Sequence, residues 1–146
     1  MANVCTYLNF QDCTEQAFEF YKKAFDGRYI GEIKRFGELP SFGDMPPLSE
    51  EYKNRIVHIE LEIPGGHVLR GTDALASFGF NVTFGNNIYI CVNTDSREQT
   101  DRFFTALAAG GSISQELQDQ YWGAYYGACT DKFGVQWVFN YMKSLA

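Results

Sequence analysis

Three groups of residues in this 146-residue chain carry side chains able to do chemistry. Along Val4 to Phe10, Cys5, Tyr7 and Asn9 alternate with Thr6, Leu8 and Phe10. Period two makes this a strand with a thiol, a phenol and an amide on one face and an apolar face opposite. Along Arg55 to Ile63 the same period sets His58 on a face with Ile56 and Glu60. The third group is aromatic: Trp122, Tyr126 and Trp137 offer flat walls, while Arg70 could place a permanent cation near Cys5, Tyr7 and Asn9. An apolar, aromatic cup with an arginine and a few amides suits a planar or anionic organic molecule, held by stacking and charge pairing. The binding residues predicted on this basis are Tyr7, Asn9, His58, Arg70, Trp122 and Tyr126. The competing reading is that the aromatics merely fill the cup.

Other chemistries find less support. Cys5 and His58 would form a nucleophile–base pair only if their strands were neighbours. Glu60 and Glu62 share a strand face of the kind that is usually solvated. His67 follows a Gly-Gly turn and reads as exposed, and a lone histidine is a weak metal signal. The cysteines at 5, 13, 91 and 129 match no metal or redox spacing and read as unpaired thiols. Nothing resembles a dinucleotide fingerprint or a phosphate-binding loop, so neither cofactor class is indicated. No residue is assigned a catalytic role.

Composition narrows the class. The formal charge is −6 and no basic run exists, which argues against nucleic acid as a partner. No apolar run approaches a membrane span and no leader-like apolar stretch opens the chain, so a cytoplasmic protein with no membrane partner is expected. Aromatic residues make up 16% of the chain, enough to supply both a core and a lined cavity.

These side chains need elements to hold them. Trp122 to Thr130 and Val135 to Tyr141 read as two aromatic strands joined by an Asp131-Lys132-Phe133-Gly134 turn. Upstream, a helix capped by Thr14 carries Ala17, Phe18, Tyr21 and Phe25 at helical spacing and ends at Gly27. Strands follow at Tyr29 to Phe36, Arg55 to Ile63 and His67 to Thr72. Gly37 to Asn54, with Pro40, Pro46 and Pro47, reads as a long excursion. Asp73 to Gly85 joins this half to a strand at Asn87 to Asn93, a helix capped by Ser96, and Ser112 to Leu117. The order strand, helix, strand, strand, strand thus occurs twice. A shift of 83 residues maps Asp12 onto Asp95, Glu15 onto Glu98, Gln16 onto Gln99, Phe20 onto Phe103, Tyr21 onto Phe104 and Gly27 onto Gly110, the mark of an internal duplication.

Tyr7-Leu8-Asn9-Phe10, the Glu15 to Gly27 helix, Met45-Pro46-Pro47, Leu107-x-x-Gly110-Gly111 and Trp122 to Asn140 resemble the PhnB-like branch of the vicinal oxygen chelate superfamily. That superfamily includes glyoxalase I, bleomycin-resistance proteins and extradiol dioxygenases. The resemblance implies an α+β fold of two βαβββ modules (residues 1–75 and 86–146 of a single domain, 1–146). Each module would be a half-barrel antiparallel sheet, and the whole would assemble as a homodimer. Similar sequences carry a histidine at His58. The four metal-ligand places of the superfamily fall near Cys5, Arg70, Asn87 and Val138, which is not a ligand set, so neither metal nor cofactor is expected. The ubiquinone-methyltransferase label borne by some relatives finds no Gly-rich cofactor loop here. The expectation is a metal-free protein binding a small aromatic or anionic molecule. The alternative is a metal-dependent lyase, isomerase or dioxygenase.

Overall fold

The computed structural model describes residues 1–39 and 48–143. Pro40, Pro46, Pro47 and the Met45-Pro46-Pro47 motif lie outside them. The chain divides into two compact units, Met1–Thr83 and Phe84–Ala146.

In the first unit the alternating run forms β1 (Thr6–Phe10), with Phe10 fully buried and Tyr7 and Asn9 exposed. Helix α1 (Thr14–Phe25) buries Ala17, Phe18, Tyr21, Ala24 and Phe25, the stripe its periodicity dictates. Its cap differs from expectation. Cys13 occupies the cap position but its side chain makes no capping bond to the helix, and Thr14 is already helical. The Asp73 carboxylate replaces the local cap, accepting from Thr14 N at 3.0 Å and from Ile56 N at 2.7 Å. At the other end Asp26, rather than Gly27, adopts the left-handed conformation at φ 53°.

The strand expected over Tyr29 to Phe36 is broken into β2 (Arg28–Tyr29) and β3 (Lys34–Arg35), with Gly31 at φ 66° between them. Then come α2 (Glu50–Lys53), capped by Ser49, β4 (Ile56–Ile63) and β5 (His67–Asp73). The sheet order is β1-β5-β4-β2, with β3 also paired to β4. β1 runs parallel to β5 while the other pairs are antiparallel, so the sheet is mixed rather than wholly antiparallel. Helix α1 packs on β4 and β5 over Phe10, Ile59, Leu61 and Leu69, all fully buried. Gly71 permits this approach, since a Cβ there would stand 2.5 Å from a ring carbon of Phe18.

The second unit repeats the order: β6 (Ile90–Asn93), α3 (Arg97–Ala108), β7 (Ser112–Asp119), β8 (Ala124–Thr130) and β9 (Gln136–Met142). Its sheet runs β6-β9-β8-β7, again with the first strand parallel to the last. Shifting α1 by 83 residues reproduces the bounds of α3. The buried pairs Ala17/Thr100, Tyr21/Phe104 and Ala24/Leu107 correspond, although Phe103 is buried where Phe20 is only half-buried. Ser96 does cap α3, its hydroxyl accepting from Gln99 N at 3.0 Å. Phe104 meets Phe139 edge-to-face, with ring centres 5.9 Å apart.

The Asp131 to Gly134 turn closes as its sequence dictates, Gly134 lying at φ 95° and donating to Asp131 O. The buried Asp131 carboxylate accepts from Phe133 N, Val135 N and the Trp137 indole N–H. Trp137 is therefore a core residue, and it does not wall a cup. Among the described residues, no helix is long and apolar enough to cross a membrane.

Candidate functional site

The face of the first sheet turned away from α1 gathers the polar side chains. Strand register sets them in rows. Tyr7 on β1 lies opposite Arg70 on β5, and Arg70 opposite Glu60 on β4. One row along, Asn9 lies opposite Thr72. His58 sits on β4 two residues before Glu60 and pairs across the sheet with Lys34. Thus Tyr7, Asn9, His58 and Arg70 share one open face.

The centre of this face is an ion-pair cluster. Arg70 Nε stands 2.6 Å from Glu60 Oε1, and His58 Nε2 stands 3.5 Å from the same oxygen. The Glu60 side chain is only 17% exposed, whereas that of Arg70 is 48% exposed. The carboxylate is therefore a shielded anchor and the guanidinium a presented group. Because Nε is the atom tethered, the forked end of Arg70 remains available for a planar anion. Tyr7 keeps 54% of its surface exposed one strand away, so an aromatic face flanks the cation.

Two hollows open beside the cluster. A smaller one, of about 280 Å³, is lined by Cys5, Glu60, His67 and Arg70 among others. A larger one, of about 580 Å³, lies beyond Asn9 and Thr72, under residues 74–83. Those residues fall in the stretch expected only to join the two halves. The signal was Leu75, Phe78, Phe80 and Val82, apolar side chains in a stretch with no strand or helix period.

Several expectations change. β5 lies between β1 and β4, so Cys5 and His58 are not strand neighbours and the nucleophile–base pair is not formed. His67 is half-buried rather than exposed, its Nε2 2.8 Å from Thr6 Oγ1. Trp122 is not part of β8; it sits in the turn before it, half-exposed and edge-on to Tyr121 at 5.0 Å between ring centres. Tyr126 lies on β8, half-buried and opposite Asn140, on the face of the second sheet away from Trp137 and Phe139. Glu60, expected with Glu62 on a solvated face, is largely shielded, whereas Glu62 stays exposed in its pair with Arg28 at 3.1 Å.

The residues present do not fit a divalent metal. Of the four corresponding places, Arg70 is a cation already paired with Glu60, and Val138 has no donor atom. Among the described residues, no three His, Cys, Asp or Glu side chains stand close enough to hold an ion. His58 and Glu60 make a two-donor set whose third neighbour is a guanidinium, short of what zinc, magnesium or calcium requires.

The perturbed groups stand apart from this face. Glu15 is held below the usual carboxylate range by its two-pronged contact with Arg35, at 2.7 and 3.1 Å. Burial raises the Tyr29 phenol, helped by its bond to Glu19, and lifts the Cys129 thiol to about 12. These groups brace α1, β2 and the second core.

Comparison with known proteins adds the remaining context. The family described as 3-demethylubiquinone-9 3-methyltransferase matches residues 2–139. Protein YjdN of Escherichia coli is 28% identical over 142 residues, covering 94% of this chain and 93% of that one. The crystal structure of protein PA1353 from Pseudomonas aeruginosa is similar over 99% of this chain and 100% of that chain, with 28% identity and a TM-score of 0.79. A Bacillus cereus structure described as a putative 3-demethylubiquinone-9 3-methyltransferase, PhnB protein, shares the fold at 24% identity and a TM-score of 0.76, over 96% and 99% of the two chains. More distant glyoxalase/bleomycin-resistance/dioxygenase structures share the fold alone, with TM-scores of 0.58 and 0.65.

Proposed function

Because the chain belongs to the 3-demethylubiquinone-9 3-methyltransferase family, the PhnB-like branch of the vicinal oxygen chelate superfamily, we propose that it binds a small aromatic or anionic organic molecule on the open face of its first sheet, without a metal. The observation that carries this reading is the Glu60–Arg70 tether. A shielded carboxylate fixes Nε and leaves the forked end of a half-exposed guanidinium presented beside Tyr7. A carboxylate ligand would take charge-assisted bonds from that fork, worth about 1.5–3 kcal/mol, with the lower end expected because the site is partly wet.

The residues favour binding over the methyl transfer that the family description names. A nucleoside-type donor is commonly cradled where a strand turns into a helix through glycines. The two such turns here are Gln11-Asp12-Cys13 and Thr94-Asp95-Ser96, with no glycine in either. Assembly as a homodimer and a cytoplasmic location belong to the same proposal. Cys5, Cys13, Cys91 and Cys129 are all thiols outside any disulfide, which suits a reducing compartment.

Thermal-shift measurements on chelator-washed protein test the reading. Aryl carboxylates should raise the melting temperature in wild type, because a ligand selective for the folded state stabilises it, and should lose that effect in Arg70→Ala. Stabilisation that needs an added divalent ion would favour the metal-dependent enzyme instead.

A further inference from the structure

We infer that the larger hollow of the first unit seats the apolar ring of the ligand whose anionic end Arg70 holds, which makes the ligand class an aryl acid with a further ring extending beyond the one nearest its carboxylate. This rests on the proposed binding at Arg70 and extends it. Three observations converge on it.

The hollow is apolar and aromatic where a ring would lie. Phe36, Leu75, Phe78, Phe80 and Val82 line it within a volume of about 580 Å³, ample for one or two fused rings. Phe80 keeps 59% of its surface exposed, although it belongs to a stretch tied down at both ends. A large apolar side chain held in place yet left uncovered gains most from a ring laid against it.

The wall is built. One side chain, Gln11, spends its whole amide on it: Nε2 donates to Ala74 O at 2.9 Å and to Phe80 O at 2.7 Å, and Oε1 accepts from Val82 N at 2.9 Å. Ala74 N in turn donates to Phe10 O at 2.7 Å. These bonds hold residues 74–82 against the end of β1. Gln11 is thus a positioning residue for the hollow and needs no contact with the ligand.

The hollow also lies at a defined reach from the cation. Asn9 and Thr72 are lining residues, and they form the row next to Tyr7 and Arg70. Adjacent same-face positions on a strand are about 6.6 Å apart. The Glu60 tether prevents Arg70 from following the ring along the strand. A carboxylate attached directly to a single ring is too short to fill both places, whereas a fused two-ring acid spans them.

Calorimetric titration with 2-naphthoate, benzoate, 2-naphthamide and acetate tests this, using wild type, Arg70→Ala, Phe80→Ala and the hollow-filling Ala74→Phe. Phe80 is exposed, so its truncation should leave folding intact, which circular dichroism checks. The expected result is 2-naphthoate binding about tenfold tighter than benzoate. Phe80→Ala and Ala74→Phe should remove most of that margin and leave benzoate within about twofold, while Arg70→Ala should weaken both acids. Gln11→Glu, which sets a carboxylate against two carbonyl oxygens, should narrow the same margin without changing benzoate.

Equal affinity for the two acids, both dependent on Arg70 and indifferent to Phe80 and Ala74, would overturn the hollow as the ring site and leave the anion site standing. Binding of 2-naphthamide as tight as 2-naphthoate, with neither affected by Arg70→Ala, would overturn both. So would the absence of binding by any carboxylate.

Discussion

Glu60 and Arg70 should affect ligand binding in opposite directions, although they form one ion pair. In Glu60→Gln the amide oxygen can still accept from Arg70 Nε, so the tether persists while its negative charge is removed. A ligand carboxylate on the guanidinium fork would lie about 6 Å from that charge, where two like unit charges repel by about 0.7–1.4 kcal/mol at an effective dielectric of about 40–80. Removing it should tighten 2-naphthoate about threefold to tenfold. Arg70→Ala deletes the attraction and leaves Glu60, 17% exposed, facing the ligand. That variant should weaken binding at least tenfold, given about 1.5–3 kcal/mol for the lost bonds. Both effects should shrink between low and high salt, since the pair is partly exposed. Titration calorimetry at two ionic strengths provides the readout. Weaker binding in Glu60→Gln would refute the reasoning, because it would mean that the carboxylate itself contacts the ligand.

Three further outcomes are expected. Asp131→Asn should destabilise the protein by about 2 kcal/mol in chemical denaturation, because an amide nitrogen turned toward the Trp137 indole leaves that buried N–H unpaired; a neutral result would contradict the bonding described. Gly71→Ala should cost at least about 2 kcal/mol in the same assay, since its methyl would press on the Phe18 ring at 2.5 Å; wild-type stability would show that α1 can retreat from the sheet. Cys129 should resist iodoacetamide in the native protein at pH 8.5, as burial holds it protonated up to about 12, while Cys91, whose thiol is also raised by partial burial but stays exposed, reacts ahead of it. The sign follows from linkage: a thiol raised on folding adds stability that is complete below its ordinary value of 9.0. That stability is lost as pH rises from there through about 12. Mass spectrometry showing early Cys129 alkylation would contradict this.

Much of the fold was legible because its periodicities are local. Alternation in Val4 to Phe10 fixed which side chains share a face, and the 83-residue shift placed both helices at matching bounds. Pairings made at a distance were not legible. Nothing near Thr14 announces that its N–H bonds to Asp73, 59 residues later, and nothing in either strand says that β5 separates Cys5 from His58. Trp137 looked like a cavity wall because an aromatic strand residue reads the same on either face. Only the partner of its indole, Asp131, identifies it as core. The site was legible in part: Tyr7, Asn9, His58 and Arg70 were named, but the roles of Glu60 as tether and Gln11 as brace depend on register and loop path.

The most direct measurement is the side-chain Nε–H resonance of Arg70 in nitrogen-15-labelled protein, assigned by its loss in Arg70→Ala. On titration with 2-naphthoate after chelator treatment, that resonance should move saturably, and it should stay in place with 2-naphthamide. An Arg70 signal unmoved by 2-naphthoate while other resonances saturate would place the ligand elsewhere and contradict the anion site on the first sheet.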